Sequence, residues 1–576
     1  MSIQILDCTL RDGGYVNDWD FGFKTIRSIL DKLEKARIDI IECGFLTGMV
    51  HDRERSLYGS VSEIEEVLPP GERHSLYVAM IAIGEKELHP SLLAPCDGRS
   101  IGGIRLTFHQ EEIGRAMEWA EIIMDRGYRV FMQPVGTVFY TDLELLQLVE
   151  KMNALRPYAF YIVDTLGSMY RNQVTHRFHL INENMDPAVR LGFHAHNNLQ
   201  LAFSNAQVLG KIQTKRPLIL DSSVFGMGRG AGNLPTELIA QYINDNIASR
   251  YDAAMVMDIY DEYISAIRRE YEWGYSMPYH IAASNVCHPN YASYLLQRRT
   301  LTMKDIERII QSIPEEYRVL YDQPLIERLY ARFQSRAIDD SAAVKALTER
   351  IAGRELLLLG PGSSLAGEYD VILDYIAVRR PFVIAVNFAD ARYPLDACFV
   401  SNHKRMDMVR QELRSLGDLP VILTSNIPWE GEGNCLFVDY DRYTSDDELV
   451  SDNAGLMLLR LLRRCGAGGA ALAGFDGFRP RREGAPSPGN YYSSELNLEV
   501  GEAEAEEKQA RIRRQLRELS ASMKLSFLTR SVYQEAVQGE AQGDAQGDSR
   551  GDVQENAPGD ARENSREDSR GDFQYV

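Results

Sequence analysis

An α/β architecture is predicted for this chain, a (β/α)8 TIM barrel with a helical extension, followed by a smaller Rossmann-like α/β domain and a disordered acidic tail. Three observations predict it: β-rich runs alternating with amphipathic stretches over the first 250 residues, a second βα series from about residue 353, and a terminal Gly-Asp repeat. The runs of the first series are IQILDC, IDIIECGFL, YVAMIAIG, GIRLTFH, YRVFMQPVG, FYIVDTLG, LGFHAHNN and LILDSSVFGMG. Eight such strands in about 250 residues match the size and rhythm of a barrel, although the count alone also leaves a doubly wound sheet open.

The remaining boundaries follow from changes of pattern. Residues 251–352 read as a helical extension, with YDAAMVMDIYDEYISAIRREYEWGY and PLIERLYARFQSRA as its clearest helical stretches. Residues 353–490 repeat the strand–helix alternation, with RELLLLG, PFVIAVN, ACFVSN, PVILTSN, CLFVDY and AALAGFDGF as strands. A charged stretch makes 491–535 a helical segment. Residues 536–576 repeat Gly-Asp units almost without large apolar side chains, so they cannot bury enough surface to offset the entropy of ordering.

Composition narrows the function. The chain of 576 residues carries 63 basic and 83 acidic side chains, net −20, with no basic cluster dense enough to follow a phosphate backbone, so nucleic acid is not an expected partner. No apolar run approaches the roughly 18 residues of a membrane-spanning helix. The opening residues lead directly into a strand instead of a signal segment, and the expectation is a cytoplasmic protein without a membrane partner. Seven scattered cysteines, with no CxxC pair, argue against a disulfide framework and a zinc ribbon.

Candidate chemistry collects at the carboxyl ends of the barrel strands, where such barrels place their sites. Strand one leads into Arg11-Asp12-Gly13-Gly14, which can bind a charged group or form a buried ion pair. Strand seven carries His194 and His196, whose i, i+2 spacing puts both imidazoles on one face, as metal ligands or as a hydrogen-bonded catalytic pair. Asn233, in the glycine-rich loop after strand eight, is a ligand or a helix cap. One carboxylate, two imidazoles and one amide oxygen suit a divalent ion, Mn2+ or Mg2+ first and Co2+ or Zn2+ behind.

LDCTLRDGG, IECGF, VDTLG, GFHAHNN and GMGRGAGN, in that order over residues 1–250, resemble the DRE-TIM metallolyase (HMG-CoA lyase-like) family, and the DCTLRDGGY opening is most similar to its 4-hydroxy-2-oxovalerate aldolase branch. The resemblance implies a divalent-metal-dependent aldolase joining or cleaving pyruvate enolate and an aldehyde. Asp12, His194 and His196 would hold the metal, with Asn233 a further ligand, and Arg11 would stabilise the enolate oxygen. Asp7 and Glu42 would orient Arg11 or nearby groups, Thr165 would hydrogen-bond the substrate carboxylate, and Asn197 would act from behind the ligands. Tyr15 stands where that branch has its catalytic histidine, so the base is either Tyr15, tuned by the metal and Arg11, or a substitute, His109 first and Tyr291 second. As an aromatic wall of the pocket, Tyr15 would have a purely structural role.

Two other readings remain open: a Claisen-type acyltransferase using acetyl-CoA and a 2-oxo acid, and a metal-binding scaffold without turnover. The resemblance also implies a homo-oligomer or an aldehyde dehydrogenase partner. In the second domain, Gly360, Gly362, Ser363 and Ser364 follow an apolar strand and form either a tight turn or a cradle for a nucleotide or sugar phosphate. GPGSSL and DNAGLMLLRLL there are similar to sialyltransferase-like nucleotide-sugar domains.

Overall fold

The computed structural model describes residues 3–298, 300–429, 434–447, 449–478 and 502–537. It divides into two compact units, one comprising the chain to Gln297 with Met303–Ile326, the other mainly the chain from Glu327 onward. The Gly-Asp repeats lie outside the described residues.

The first unit is a closed parallel barrel. Its strands are β1 (Ile3–Asp7), β2 (Ile40–Leu46), β3 (Leu76–Ala82), β4 (Gly103–Phe108), β5 (Arg129–Pro134), β6 (Ala159–Asp164), β7 (Arg190–Ala195) and β8 (Leu218–Ser222). Each pairs with its sequence neighbours, and β1 pairs with both β2 (Leu6 beside Ile40) and β8 (Ile3 beside Leu218), which closes the ring and settles the choice against an open sheet. A two-residue strand, Leu57–Tyr58, lies beside the end of β2.

Strand side chains alternate between two cores. Leu6, Val78, Phe131, Tyr161 and Ile219 pack together in the lumen. Ile5, Ala79, Met132, Phe160 and Leu220 face the helical layer. Helix Phe23–Lys35 shows why that layer forms: Ile26, Ile29, Leu30 and Leu33 recur at helical spacing and are all buried against the strands. Glu42, Arg105 and Asp221 share the inward parity, since Glu42 lies two residues from Ile40, Asp221 two from Ile219, and Arg105 is in register with Phe131. These three buried side chains therefore bring charge into the lumen.

The second unit is a parallel sheet with strands β9 (Leu356–Leu359), β10 (Phe382–Val386), β11 (Ala397–Val400), β12 (Val421–Thr424), β13 (Cys435–Val438), β14 (Gly469–Ala473) and β15 (Lys524–Phe527), in the order β13-β12-β11-β10-β9-β14-β15. Leu356 and Leu358 belong to the core on one face, Leu357 and Leu359 to that on the other, so the sheet is covered on both sides. The charged stretch forms helix Glu502–Ser520, but the segment around it is not wholly helical: β15 extends the sheet beside β14. Among the described residues, no helix is long and apolar enough to cross a membrane.

Packing in the lumen yields a direct test. A Cβ on Gly192, in β7, would lie 2.3–2.4 Å from ring atoms of the fully buried Tyr161. Gly192→Ala is therefore expected to cost about 1–3 kcal/mol through overpacking, read as a lowered urea midpoint; an unchanged midpoint would show that the ring can yield.

Candidate metal centre

Local structure delivers the three strand-end motifs to one point. After β1 the chain turns tightly: the amide of Asp12 donates to the carbonyl of Cys8 at 2.8 Å, and the Trp19 indole donates to the carbonyl of Arg11 at 2.8 Å. Trp19 lies so close over the turn that a Cβ on Gly14 would come within 2.0 Å of its ring, which accounts for glycine in the RDGG motif. Asp12 thus faces His194 and His196, and one ligand atom from each of the three lies within 4.8 Å of the others, all three residues being buried.

The electrostatics suit a cation. Burial alone would raise the Asp12 carboxyl, but Arg11, then His196 and His194, hold it well below the usual carboxylate range. Burial pushes the His196 imidazole down to about 3, so it is neutral and keeps a lone pair. His194 Nδ1 donates to the carboxylate of Asp221 at 3.0 Å, so Nε2 is the ring nitrogen left for a cation. Asn233 donates through Nδ2 to Asp12 and to the carbonyl of Met227 at 3.1 Å, whereas its Oδ1 is buried without a hydrogen-bond partner. One carboxylate, two imidazoles and an unmatched amide oxygen fit a divalent ion.

The cavity beside this cluster is lined by Arg11, Tyr15, Gln133, Thr165, His109 and His288, among others. Arg11 donates through Nε to Glu42 at 2.9 Å and through Nη1 to Asp12; its Nη2 is buried without a hydrogen-bond partner. Thr165 accepts from the amide of Gly136 at 2.9 Å, leaving its hydroxyl proton to donate. Tyr15 is packed edge-on against Trp19 (4.7 Å between centroids) and Phe45 (6.1 Å), with the Arg229 guanidinium 4.4 Å above its ring. Burial pushes its phenol up to about 12, despite Arg229 and Arg11, so the chain's own charges do not tune Tyr15 into a base. His109 lies 3.6 Å from Glu85; burial alone would lower its pKa, but Glu85, with Glu111 and Glu112, raises it above the ordinary value.

The expectation for Tyr291 is corrected. The Tyr291 hydroxyl does not line the cavity and is committed to backbone, donating to Tyr317 and Leu320 carbonyls at 2.8 and 3.0 Å and accepting from the Asp322 amide at 2.9 Å. From the same CHPNYASY stretch, His288 lines the cavity instead. Of its two expected roles, Asp7 has the bonding of nearby groups and not of Arg11: its carboxylate accepts from the Thr9 amide (2.9 Å) and the Thr236 hydroxyl (2.7 Å). Of Asp7 and Glu42, it is Glu42 that bonds the guanidinium, which Asp12 holds as well. Asn197 lines a hollow with Asn233, the candidate further ligand, and with Phe225 and Trp273, and its Oδ1 accepts from the Ala202 amide at 3.2 Å.

In the second unit the suspected phosphate cradle already holds a carboxylate. Asp476 accepts from the Ser364 amide (2.9 Å), the Ser363 hydroxyl (3.0 Å) and the Ser364 hydroxyl, and the Gly360 and Gly362 amides donate to the carbonyls of Ala473 and Gly474. The donors offered to a phosphate are spent within the fold, as in the tight-turn alternative.

Four residues absent from the sequence reading belong to this site: Arg105 and Asp221 behind the ligands, and Gln133 and His288 in the cavity wall. Arg105 and Asp221 were detectable as single charges in the apolar runs GIRLTFH and LILDSSVF.

Residues 104–261, within the barrel, match the model of the HMGL-like family. Two relatives named 4-hydroxy-2-oxovalerate aldolase are those of Thermomicrobium roseum, 28% identical over 273 residues (46% of this chain, 72% of the relative), and Geobacillus genomosp. 3, 29% identical over 266 residues (45% and 75%). Among solved structures, the N-terminal domain of an aldolase candidate from Bacteroides vulgatus is 26% identical, covering 53% of this chain and 99% of that one at a TM-score of 0.46. The HMG-CoA lyase of Brucella melitensis is 14% identical, covering 46% and 99%, at 0.37.

His196→Ala is expected to abolish Mn2+ binding in isothermal titration while far-UV circular dichroism is retained, because the imidazole lies past a strand end. Undiminished binding would remove His196 from the ligand set.

Proposed function

We propose that the barrel is a divalent-metal-dependent aldolase that makes or breaks a carbon–carbon bond between pyruvate enolate and an aldehyde, like the 4-hydroxy-2-oxovalerate aldolases. One observation carries this reading: the Asp12, His194 and His196 cluster opens on a cavity also lined by Arg11, whose Nη2 has no hydrogen-bond partner. A bound divalent ion, for which Mn2+ is the first candidate, would supply Lewis-acid polarisation of a 2-oxo acid carbonyl.

The chain's own residues account for the rest of the chemistry. Thr165 and the buried, unpartnered Nε2 of Gln133 are donors for the substrate carboxylate. Arg11 Nη2 is the donor for the C2 oxygen, where negative charge develops. In the cleavage direction, the proton of the C4 hydroxyl passes to a basic side chain. The C3–C4 bond then breaks, its electron pair forms the enolate of pyruvate, and the aldehyde leaves. His109 fits the proton transfer, since it lines the cavity and has Glu85 as a charged partner. Tyr15, kept protonated by burial, forms a wall.

The test is pyruvate release from a series of 4-hydroxy-2-oxo acids. Chelation should abolish it and Mn2+ restore it; full activity in metal-stripped protein would overturn the mechanism. The pH profile tests His109. Its pKa lies above the ordinary 6.5, and the base form predominates above that pKa, so the acidic limb of cleavage should lie above pH 6.5. Glu85→Gln removes the raising charge and should move that limb to lower pH; an unmoved limb would assign the proton to another group.

A further inference from the structure

The lumen beneath the cavity holds a run of alternating charges that starts on one metal ligand and ends on another. Asp12 accepts from Arg11 Nη1, and Arg11 Nε donates to Glu42 Oε2 at 2.9 Å. The same oxygen accepts from Arg105 Nη1, while Arg105 Nη2 donates to Asp221 Oδ2. That oxygen also accepts from His194 Nδ1 at 3.0 Å. None of these residues is more than 5% exposed, and Arg105 is wholly buried.

Stability is a poor explanation for such a run. Desolvating buried ions costs about as much as their attraction returns, and well-packed apolar side chains do as well or better. Geometry is the better explanation. A guanidinium is a rigid planar fork, and Arg105 places one tine on each of two carboxylates that serve different halves of the site.

Building on the metal-centre reading, we propose that Arg105 is a positioning residue that sets both halves of the site at once. Through Asp221 it holds His194 with its proton on Nδ1 and its Nε2 lone pair available to the cation. Through Glu42 it holds the Arg11 guanidinium in the orientation that leaves Nη2 without a protein partner at the cavity. Neither Arg105 nor Asp221 lines the cavity, so both act only through the groups they orient.

The experiment uses the full chain and Mn2+, with Arg105→Lys, which keeps the charge but loses the fork, and the near-isosteric Asp221→Asn. Readouts are Mn2+ dissociation constants by titration and the Mn2+ electron paramagnetic resonance line shape, with circular dichroism as the folding control. Each variant is expected to bind Mn2+ roughly 10- to 100-fold more weakly, with an altered line shape. The double variant should be little worse than Arg105→Lys alone, because the two changes interrupt one path. Folded variants with wild-type affinity and line shape would overturn the proposal. Should Arg105→Lys fail to fold, Asp221→Asn alone decides. A wild-type chain that takes up no divalent ion overturns the metal-centre reading, and this role for Arg105 with it; a chain that binds Mn2+ yet cleaves no 4-hydroxy-2-oxo acid overturns only the aldolase reading.

Discussion

Everything at the mouth of the barrel depends on one constraint: an ionised group removed from water must meet an opposite charge or a full set of hydrogen bonds. Asp12, Glu42 and Asp221 are nearly inaccessible, and two guanidiniums, Arg11 and Arg105, are threaded between them. Each charged side chain is thereby fixed by two neighbours. The closed ring of strands makes this workable, because parallel strands in register bring inward-facing residues far apart in sequence to one level.

The same constraint explains why the site would accept a cation and then an anion. Three carboxylates against two guanidiniums leave one net negative charge among these buried groups, with two neutral-capable imidazoles beside it. A divalent ion reverses that sign, and the unpartnered donors of Arg11 and Gln133 then face a ligand carrying negative charge. Such an order matches the demands of enolate chemistry, in which charge appears on an oxygen in surroundings largely shielded from water.

Much of this was legible in the sequence. The eight strands followed from the count and spacing of apolar runs, and Asp12, His194 and His196 from their positions at or just past strand ends, with the i, i+2 spacing putting both imidazoles on one face. The rest depended on tertiary placement. Arg105 and Asp221 are single charges inside apolar runs, with no local signal of the partners that ring closure brings them. In CHPNYASY the visible candidate was Tyr291, but the bend that begins its helix turns His288 to the cavity and the phenol to backbone carbonyls. The loop at Gly360 offered suitable donors for phosphate; only the fold reveals Asp476, more than 100 residues away, occupying them. Strand β15 is four residues long, too short for its alternation to stand out beside a charged helix.

The most direct test of the central claim is anomalous diffraction at the manganese edge from crystals of the full chain grown with Mn2+. A single strong peak within ligand distance of a carboxylate oxygen of Asp12 and ring nitrogens of His194 and His196 is expected. A map without that peak, or one with the two imidazoles directed at separate places, would contradict the account.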